Sequence, residues 1–411
     1  MGEPKLRFKA DDGSDFSGWE EKTLGELCAP LTYGMNAAAT KFDGENRYIR
    51  ITDIDDETHA LLPNDIVSPS GELDDKYLVK KGDILLARTG ASTGKSFLYH
   101  PKDGKLFYAG FLIKAHVLPS SDDYFIYSQT LTDRYWKWVK TASMRSGQPG
   151  INANEYASYS FAVPSLPEQR KIADFLSAVD AVIAAQQAEV DAWEQRKKGV
   201  MQKLFSQEVR FKADDGSEFP AWESATVGEL FTFVTEKNKD GHINNVITNS
   251  AERGLVPQRE YFDKDIAVDG NTKGYTVIRK GDFVYNPRKS TSAPFGPFNI
   301  YERNEVGIVS PLYTCLTPYD DEMAPYLAWY FKTNRWHPYI VTHGAQSGAR
   351  HDRVGMTVAL MEGIPVLLPS LPEQRKIADC LASMDEVIQK SKGELAKWQE
   401  LKKGLLQQMF V

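Results

Sequence analysis

PSLPEQRKIAD, the stretch Pro164–Asp174, occurs a second time, letter for letter, at Pro369–Asp379. A match of eleven residues within one chain does not arise by chance, and it indicates that a structural unit has been duplicated. A second pair of stretches supports this interpretation. LRFKADDGSDFSGWEEKTLGEL at Leu6–Leu27 returns as VRFKADDGSEFPAWESATVGEL at Val209–Leu230.

Shorter matches occur at nearly the same offset. The turn Lys81-Gly82-Asp83 returns as Lys280-Gly281-Asp282, and the offset between matching stretches stays between 199 and 205 residues along the chain. The ends of the two copies agree closely, whereas their middles hardly agree. We therefore predict two copies of one unit, each with a variable globular part followed by a constant helical tail.

Each copy of the repeated stretch opens a long helix. Pro167 and Pro372 suit the first turn of a helix, and a glutamate follows each proline in the favoured acidic position. Apolar residues then recur at intervals that alternate between four and three, which is the pattern of a coiled-coil seam. The predicted seam consists of Ile172, Leu176, Val179, Ile183, Val190 and Trp193 in the first copy, and of Ile377, Leu381, Met384, Ile388, Leu395 and Trp398 in the second.

Polar residues interrupt the seam at the same places in both copies, at Gln186 and Lys197 and again at Ser391 and Lys402. Polar seam positions set the register of coiled coils. The matched interruptions therefore predict that the two helices pack on each other. Each would be roughly 40 residues and ~60 Å long at ~1.5 Å per residue.

The globular parts are predicted to be mixed α/β. Asp83–Ala87 and Asp282–Tyr285 are short apolar runs between turn residues, as strands are. Tyr124–Lys140 and Pro325–Trp336 are predicted to be helical. We place the first globular domain at 1–163, the first helical region at 164–208, the second globular domain at 209–368 and the second helical region at 369–411.

Composition restricts the class of protein. Of the 411 residues, 42% are hydrophobic and 26% are charged, which is typical of a globular protein with a real core. No apolar run approaches the ~18 residues of a membrane span. The three cysteines form neither a disulfide framework nor a zinc pattern, so we expect a cytoplasmic location. The net charge of −7 argues weakly against nucleic-acid binding, although an acidic protein can carry a local basic face.

No motif points to catalysis. RTGASTGKS at Arg88–Ser96 is similar to a phosphate-binding loop but is one residue short, and the second copy lacks Gly-Lys-Ser at this place. Asn286-Pro287-Arg288-Lys289 lacks the second proline and the aromatic residue expected for adenine methyl transfer. His343 and His351 have no ligand partners nearby in the sequence. We therefore predict no catalytic residue and no metal site.

Basic and aromatic residues alternate in both copies, in Asp133–Asn154 and in Asn334–Arg353. One interpretation is an amphipathic helix with a solvated charged face; the other is contact with DNA, since Arg and Gln discriminate base edges in the major groove. The matching placement in both copies favours DNA. The predicted DNA-binding residues are Arg88, Thr89, Lys95, Arg134, Lys137, Arg145, Gln148, Asn152, Arg288, Lys289, Arg335, Arg350 and Arg353.

Over essentially its whole length the chain resembles the specificity (S) subunits of type I restriction–modification systems. The resemblance rests on the paired PSLPEQRKIAD with its helix, on the helix ends RKKGVMQKLF and LKKGLLQQMF, and on the RFKADDG openings. It implies an α+β fold class, in which two similar target-recognition domains alternate with two long helices that pair as an antiparallel coiled coil. The internal repeat would then have pseudo-two-fold symmetry.

The resemblance also implies a function. Each domain would read one half of a bipartite double-stranded DNA site, while the helices set the spacing and dock two methyltransferase (M) subunits; motor-nuclease (R) subunits join for cleavage. S-adenosylmethionine, ATP and Mg would be bound by those partners, and no cofactor by this chain. The residues expected to dock the M subunits are Glu168, Gln169, Arg170, Glu373, Gln374 and Arg375.

Two alternatives remain open from the sequence. The first is the S subunit of a bifunctional type II system, in which restriction and methylation share one partner chain. The second is a duplicated coiled-coil adaptor that binds only proteins. The bases recognised and the length of the gap between half-sites are not readable from the sequence.

Overall fold

A computed structural model describes residues 4–145, 147–261, 272–344 and 352–410. The chain divides into two compact units: Met1–Ala188 with Lys392–Val411 forms unit 1, and Glu189–Ser391 forms unit 2. Each unit therefore contains one globular part and a portion of each long helix. The predicted helical regions 164–208 and 369–411 are not separate bodies, because each is divided between the two units.

Unit 1 is built around an antiparallel four-stranded sheet. Its strands are β1 (Glu20–Thr23), β2 (Thr32–Tyr33), β3 (Ala39–Lys41), β4 (Arg47–Ile49), β5 (Val67–Pro69), β6 (Asp83–Ala87), β7 (Ser96–Leu98), β8 (Leu106–Tyr108), β9 (Leu112–His116) and β10 (Ser160–Val163). Its short helices are α1 (Leu24–Leu27), α2 (Asp123–Gln129), α3 (Asp133–Ala142) and α4 (Ala153–Ala157), and α5 (Leu166–Phe205) is the first long helix. The sheet has the order β2-β9-β6-β7, and β1 pairs with β10.

Unit 2 repeats this plan. Its strands are β11 (Glu223–Thr226), β12 (Phe231–Phe233), β13 (Ile247–Ser250), β14 (Gly254–Pro257), β15 (Thr276–Ile278), β16 (Phe283–Tyr285), β17 (Phe298–Ile300), β18 (Gly307–Val309), β19 (Thr314–Pro318) and β20 (Pro365–Leu368). Its short helices are α6 (Val227–Leu230), α7 (Gln258–Tyr261), α8 (Ala324–Tyr330), α9 (His337–His343) and α10 (Val358–Glu362), and α11 (Leu371–Met409) is the second long helix. The sheet order β12-β19-β16-β17 matches that of unit 1.

The variable middles differ in structure as they do in sequence. In unit 1, β4 pairs with β8 in parallel, whereas in unit 2 the pair β15 and β18 is antiparallel. Single 3-10 turns lie at Ile51–Asp53, Asp75–Tyr77, Pro101–Asp103 and Asp321–Met323. The mixed α/β character predicted for both globular parts is confirmed.

Two predicted helices are interrupted. The segment predicted as one helix at Tyr124–Lys140 forms α2 and α3, because Thr132 starts a new helix by accepting a hydrogen bond from the amide of Tyr135 at 3.2 Å. The segment Pro325–Trp336 is helical only as far as Tyr330, and Trp336 precedes α9. The indole of Trp336 is buried and donates to the carbonyl of Phe331, so it belongs to the core rather than to a basic face.

The core of each unit includes the end of a long helix that begins in the other unit. In unit 1, Met409 and Phe410 are buried, and the rings of Phe410 and Phe125 lie 5.4 Å apart. In unit 2, Phe205 is buried and its ring lies 5.7 Å from that of Tyr326. Neither core is therefore complete without residues from both long helices.

The long helices run antiparallel within each unit. In unit 1 the ammonium of Lys402, near the end of α11, lies 2.6 Å from the carboxylate of Asp180, in the first half of α5. In unit 2 Lys197 forms the equivalent ion pair with Asp385. The two lysines that interrupt the apolar seam therefore each reach an aspartate of the facing helix.

The twelve predicted seam residues are all buried or half-buried. Their alternating spacing keeps one stripe of each helix against protein, as expected for a coiled coil. The observed helices of 40 and 39 residues agree with the predicted length.

The repeated sequence segments are in contact with each other, which explains why both copies keep them. The guanidinium of Arg7 donates to both carboxylate oxygens of Glu168, at 3.0 and 2.8 Å, and the Glu168 side chain is fully buried. In unit 2 Arg210 makes the same bidentate pair with Glu373, which is also fully buried. We call each Arg–Glu pair the clasp of its unit.

The repeated Lys-Gly-Asp turns have a local explanation. The carboxylate of Asp83 accepts the amide of Lys80 at 2.7 Å, and that of Asp282 accepts the amide of Arg279 at 2.6 Å. Gly82, between the two bonded residues of the first turn, has a φ of +89°, which a residue with a side chain rarely adopts. The same three residues therefore lead into an inner strand of the sheet in each unit, β6 in unit 1 and β16 in unit 2.

His59 is a buried polar residue of unit 1. Its side chain is 8% exposed, and Nδ1 lies 3.1 Å from the hydroxyl of Ser96, which in turn bonds the hydroxyl of Thr130 at 2.7 Å. Burial, followed by the charge of the nearby Lys95, lowers the pKa of His59 to about 4. The imidazole is therefore neutral in the folded chain at neutral pH.

We expect Arg7→Ala to destabilise unit 1 by about 3 kcal/mol, because it leaves the buried Glu168 carboxylate without its charged partner. Arg210→Ala should act likewise on unit 2. Lys9→Ala is the matched control: Lys9 pairs with Asp15 on the surface, with side chains 65% and 81% exposed, and should cost less than about 1 kcal/mol. Calorimetric unfolding measures these differences, and equal effects of Arg7→Ala and Lys9→Ala would contradict the clasp.

We expect the stability of unit 1 to fall as the pH is lowered from about 6.5 to about 4, because the unfolded chain then takes up a proton on His59 that the folded chain does not. The loss attributable to His59 is at most about 3 kcal/mol. His59→Gln should flatten this part of the curve, whereas His100→Gln, at an exposed site, should leave it unchanged. Denaturant titrations at several pH values test this, and equal slopes for the wild type and His59→Gln would refute it.

Candidate nucleic-acid interface

The loop after β6 pairs with the segment before α4 in unit 1. The amide of Ile151 donates to the carbonyl of Arg88 at 2.9 Å, and the amide of Gly90 donates to the carbonyl of Pro149 at 3.0 Å. We call residues 88–94 and 147–151 together the loop pair of unit 1. Its two members each fix the backbone of the other.

Two buried tyrosines anchor the first loop. The hydroxyl of Tyr156 donates to the carbonyl of Ala87 at 2.6 Å, and that of Tyr135 donates to the carbonyl of Gly94 at 2.8 Å. Burial raises the pKa of both hydroxyls, so both remain protonated donors. Gly94 has a φ of +96°, and a Cβ there would lie 2.6 Å from Val139 Cγ1. The loop therefore has fixed ends.

Arg88 stands at the start of this loop and is half-buried. Its guanidinium carbon lies 4.7 Å from the centre of the Tyr33 ring, a cation–π geometry. Its Nη1 is 3.4 Å from the carbonyl oxygen of Gly110, and its Nε is buried without a hydrogen-bond partner among the described residues. The Tyr33 ring is held in turn, because its hydroxyl accepts the amide of Ala153 at 3.1 Å.

Other predicted contact residues lie on or beside the loop pair. Thr89 is half-buried and forms a β-bridge with Gly150. Gln148 is exposed, and a Cβ built on Gly90 would lie 3.1 Å from its Nε2. Asn152 is exposed, but its side chain accepts the amide of Glu155 at 2.9 Å and caps α4. Of these three side chains, that of Asn152 is held by its bond to α4, whereas those of Thr89 and Gln148 make no hydrogen bond among the described residues.

The predicted cations of α3 are on the surface. Arg134 is exposed, lies 3.7 Å from the carboxylate of Glu21 and donates to a nearby carbonyl. Lys137 is exposed. Arg145 follows α3 and pairs with Glu155 while donating to the carbonyl of Ala142 at 2.9 Å. Arg134 and Arg145 are therefore each engaged with an acidic side chain of their own unit.

Lys95 has a structural role and is not a surface DNA contact. Its side chain is 6% exposed, and its ammonium donates to the carbonyl of Ile54 at 2.7 Å and to the carboxylate of Asp56 at 2.6 Å. Lys95 belongs to Arg88–Ser96, the stretch that is similar to a phosphate-binding loop, and this stretch leads into the strand β7. It therefore lacks the helix N-terminus on which such loops hold phosphate.

Unit 2 has a loop pair at the equivalent place. Arg288 and Arg353 form a β-bridge, and the amide of Lys289 donates to the carbonyl of Asp352 at 2.9 Å. Arg288 and Lys289 are exposed; Arg353 is half-buried, and its Nε lies 3.6 Å from the carboxylate of Asp352. The hydroxyl of Tyr285 anchors this loop by donating to the carbonyl of Phe295 at 2.7 Å.

A cavity of about 200 Å³ opens beside this second loop pair, and its lining includes Arg288, Lys289, Asn249, Asn286 and Glu252. Arg288 and Lys289 bring positive charge to this cavity and Glu252 brings a carboxylate, so its lining is polar and of mixed charge. Arg335, also predicted to contact DNA, is exposed near the start of α9. Arg350 lies outside the described residues.

Four of the six residues expected to dock a partner are buried. Glu168 and Glu373 are enclosed in the clasps. Gln169 and Gln374 are 2% exposed, and each donates to the carbonyl of the proline that opens its repeated stretch. Direct contact with a partner is therefore not available to these four side chains.

Arg170 and Arg375 are exposed, and Arg375 pairs with Glu322 at 2.7 Å. They occupy matching positions in the two copies. For these two residues docking stays a prediction.

Sequence patterns alone did not single out Tyr33 and Phe111, which flank the Arg88 site. Tyr33 is 43% exposed and Phe111 is 64% exposed, and the carbonyl of Phe111 accepts the amide of Arg88 at 3.0 Å. A Cβ at Gly34, the residue after Tyr33, would lie 2.1 Å from the carbonyl oxygen of Ala109, so only glycine fits this close approach. The close approach brings β2 to the residues next to Arg88.

Within the described ranges, no group of three or more His, Cys, Asp and Glu side chains is placed to hold a metal ion. None of the helices in those ranges is both long and apolar enough to cross a membrane.

Comparison with known proteins gives consistent matches. Residues 17–192 match the family model of the type I restriction modification DNA specificity domain. A protein of Methanocaldococcus jannaschii, provisionally assigned as the MjaX type I restriction enzyme specificity subunit, is 24% identical over 97% of this chain and 94% of its own length. The MjaVIII specificity subunit of the same organism is 28% identical over 39% of this chain and 38% of its own length.

Solved structures share the fold. The S subunit of a type I restriction-modification system from M. genitalium matches with a TM-score of 0.57 and 16% identity, covering 100% of this chain and 99% of that one. A chain from a structure on complex assembly and conformational transition of the type I R-M system matches at 0.56 and 17%, over 95% and 96% of the two chains. Residues 17–192 thus match the type I restriction modification DNA specificity domain, the chain is similar over nearly its whole length to a type I restriction enzyme specificity subunit, and it shares the fold of solved S subunits.

Proposed function

We propose that each unit reads one half of a bipartite site on double-stranded DNA. The observation that carries this proposal is the presence of a loop pair at the same place in both units, after the central strand of the same sheet. The two loop pairs carry different side chains on this common framework. Such a pair of surfaces suits two different base sequences, because base edges are discriminated by the side chains presented to them.

The long helices would set the gap between the half-sites. Support comes from their length, from the antiparallel ion pairs Lys402–Asp180 and Lys197–Asp385, and from the passage of both helices through the division between the units. A continuous helix is a stiff spacer of fixed rise. Changes in helix length would therefore change the spacing of a site and not its sequence.

The chemistry would come from partner subunits. We propose that two methyltransferase subunits dock to the helical repeats and supply S-adenosylmethionine and the adenine methyltransferase site, and that motor-nuclease subunits join for restriction. The exposed Arg170 and Arg375 lie at matching positions beside the two clasps. A surface that occurs twice is what docking of two copies of one partner requires.

Exchange of residues 28–163 for the corresponding segment of another specificity subunit should change one half-site and leave the other half and the gap unchanged. The reason is that this segment contains the unit 1 loop pair but neither clasp residue of unit 2. Methylome sequencing of cells that express the chimaera with its methyltransferase partner measures the outcome. Changes in both halves would count against two independent readers.

Insertion of one heptad after Ala188 and another after Ser391 should lengthen the gap by about three base pairs, since seven residues add ~10.5 Å of helix and one base pair spans ~3.4 Å. These are the points at which the two helices pass between the units. An insertion after Phe205 would instead fall next to a residue buried in the unit 2 core.

Both half-sites should keep their sequences in the double-insertion variant. A control with the heptad in α5 alone shifts one half of the seam against the facing helix and should lose assembly with the methyltransferase. Methylation of the original gap by the double-insertion variant would exclude the spacer role.

A further inference from the structure

The guanidinium of Arg88 lacks a compensating charge. Among the described residues no carboxylate lies within ion-pair distance of it, whereas Arg50 and Arg145 of the same unit each have one. A half-buried charge without a partner is costly. Its Nε is a buried donor with no acceptor, an arrangement that native proteins rarely keep without a reason.

The side chain is nevertheless held in one place. The Tyr33 ring stacks on the guanidinium at 4.7 Å, and the carbonyl of Gly110 lies 3.4 Å from Nη1. The backbone is fixed on both sides, by the carbonyl of Phe111 and the amide of Ile151. A donor that is already held in one position loses little conformational entropy when a ligand binds, and this favours selective binding.

The surroundings indicate what kind of acceptor would fit. Phosphates are usually met by exposed, mobile cations that follow the backbone of the duplex. Arg88 is instead half-buried on the Tyr33 ring, and both Tyr33 and Phe111 beside it are exposed residues. The paired donors of a planar guanidinium match the O6 and N7 acceptors of guanine, the most frequent specific contact of arginine in the major groove.

We infer that Arg88, positioned by Tyr33, reads a guanine in the half-site of unit 1. This inference rests on the proposed function and deepens it by assigning one base pair to one side chain. Tyr33 is a positioning residue: it holds the guanidinium plane and need not touch DNA.

The test uses the full chain in complex with its methyltransferase partner. Methylome sequencing of the wild type first defines the bipartite site; the absence of any bipartite methylated site would overturn the proposed function itself. Competition binding then compares the complex on duplexes in which each base pair of the site is substituted in turn. For the wild type, one G·C pair of the unit 1 half-site should discriminate by between about fivefold and about a hundredfold.

Arg88→Ala should abolish discrimination at that one pair while discrimination elsewhere persists. Arg88→Lys keeps the charge but lacks the planar fork, and it should also lose discrimination while it folds and assembles normally. Tyr33→Ala should reduce discrimination at the same pair, and Tyr33→Phe should lose only part of it. Lys76→Ala is the matched control: Lys76 also stacks on a tyrosine, at 4.9 Å, but pairs with Asp74, and this variant should behave as the wild type.

Two results would overturn the inference and leave the proposed function intact. The first is a uniform loss of affinity across all substituted duplexes, which would make Arg88 a phosphate contact. The second is unchanged discrimination at every position in Arg88→Lys. If Arg88→Ala fails to assemble, Arg88→Lys and Tyr33→Ala decide the question.

Discussion

The hydrophobic core of each unit is completed by the C-terminal end of a long helix that begins in the other unit. Phe410 and Met409 complete the core of unit 1, and Leu204 and Phe205 complete that of unit 2. A globular part of this size could have formed its own core, but here the apolar surface is closed by residues at the far end of the sequence. The antiparallel pairing of α5 and α11 is therefore a condition for folding of both globular parts.

The clasps explain why both copies of the repeat retain the segments that contain the paired arginine and glutamate. Arg7 and Glu168 lie in two segments that are far apart in sequence, and both segments recur because Arg210 and Glu373 must form the same buried ion pair. A buried carboxylate cannot lose its partner cheaply, so neither segment can change alone. The loop pairs are under no such restriction, because side chains that face outward can vary while the backbone bonds between the loops remain.

Repeats and periodicity predicted the two long helices, their seam, the mixed α/β domains and the resemblance to a family, because each of these leaves a pattern along the chain. The sequence did not predict that the compact units divide the helices, since this depends on contacts between residues such as Phe125 and Phe410 that no spacing relates. The predicted DNA contacts stay predictions, but the burial of individual side chains could not be foreseen from the sequence. The sequence suggests that Lys95 is a surface cation, but its side chain is buried. The position of the Arg88 guanidinium depends on its contact with Tyr33, the last residue of β2.

The shared cores are tested most directly by dividing the chain between Ser206 and Gln207, in the link that follows α5. The account predicts that fragments 1–206 and 207–411 associate through their helices, and that an equimolar mixture recovers the near-ultraviolet circular dichroism of the intact chain. Sedimentation of the mixture should then show a stable complex of both fragments. Two fragments that each fold completely as monomers and do not associate would contradict the account.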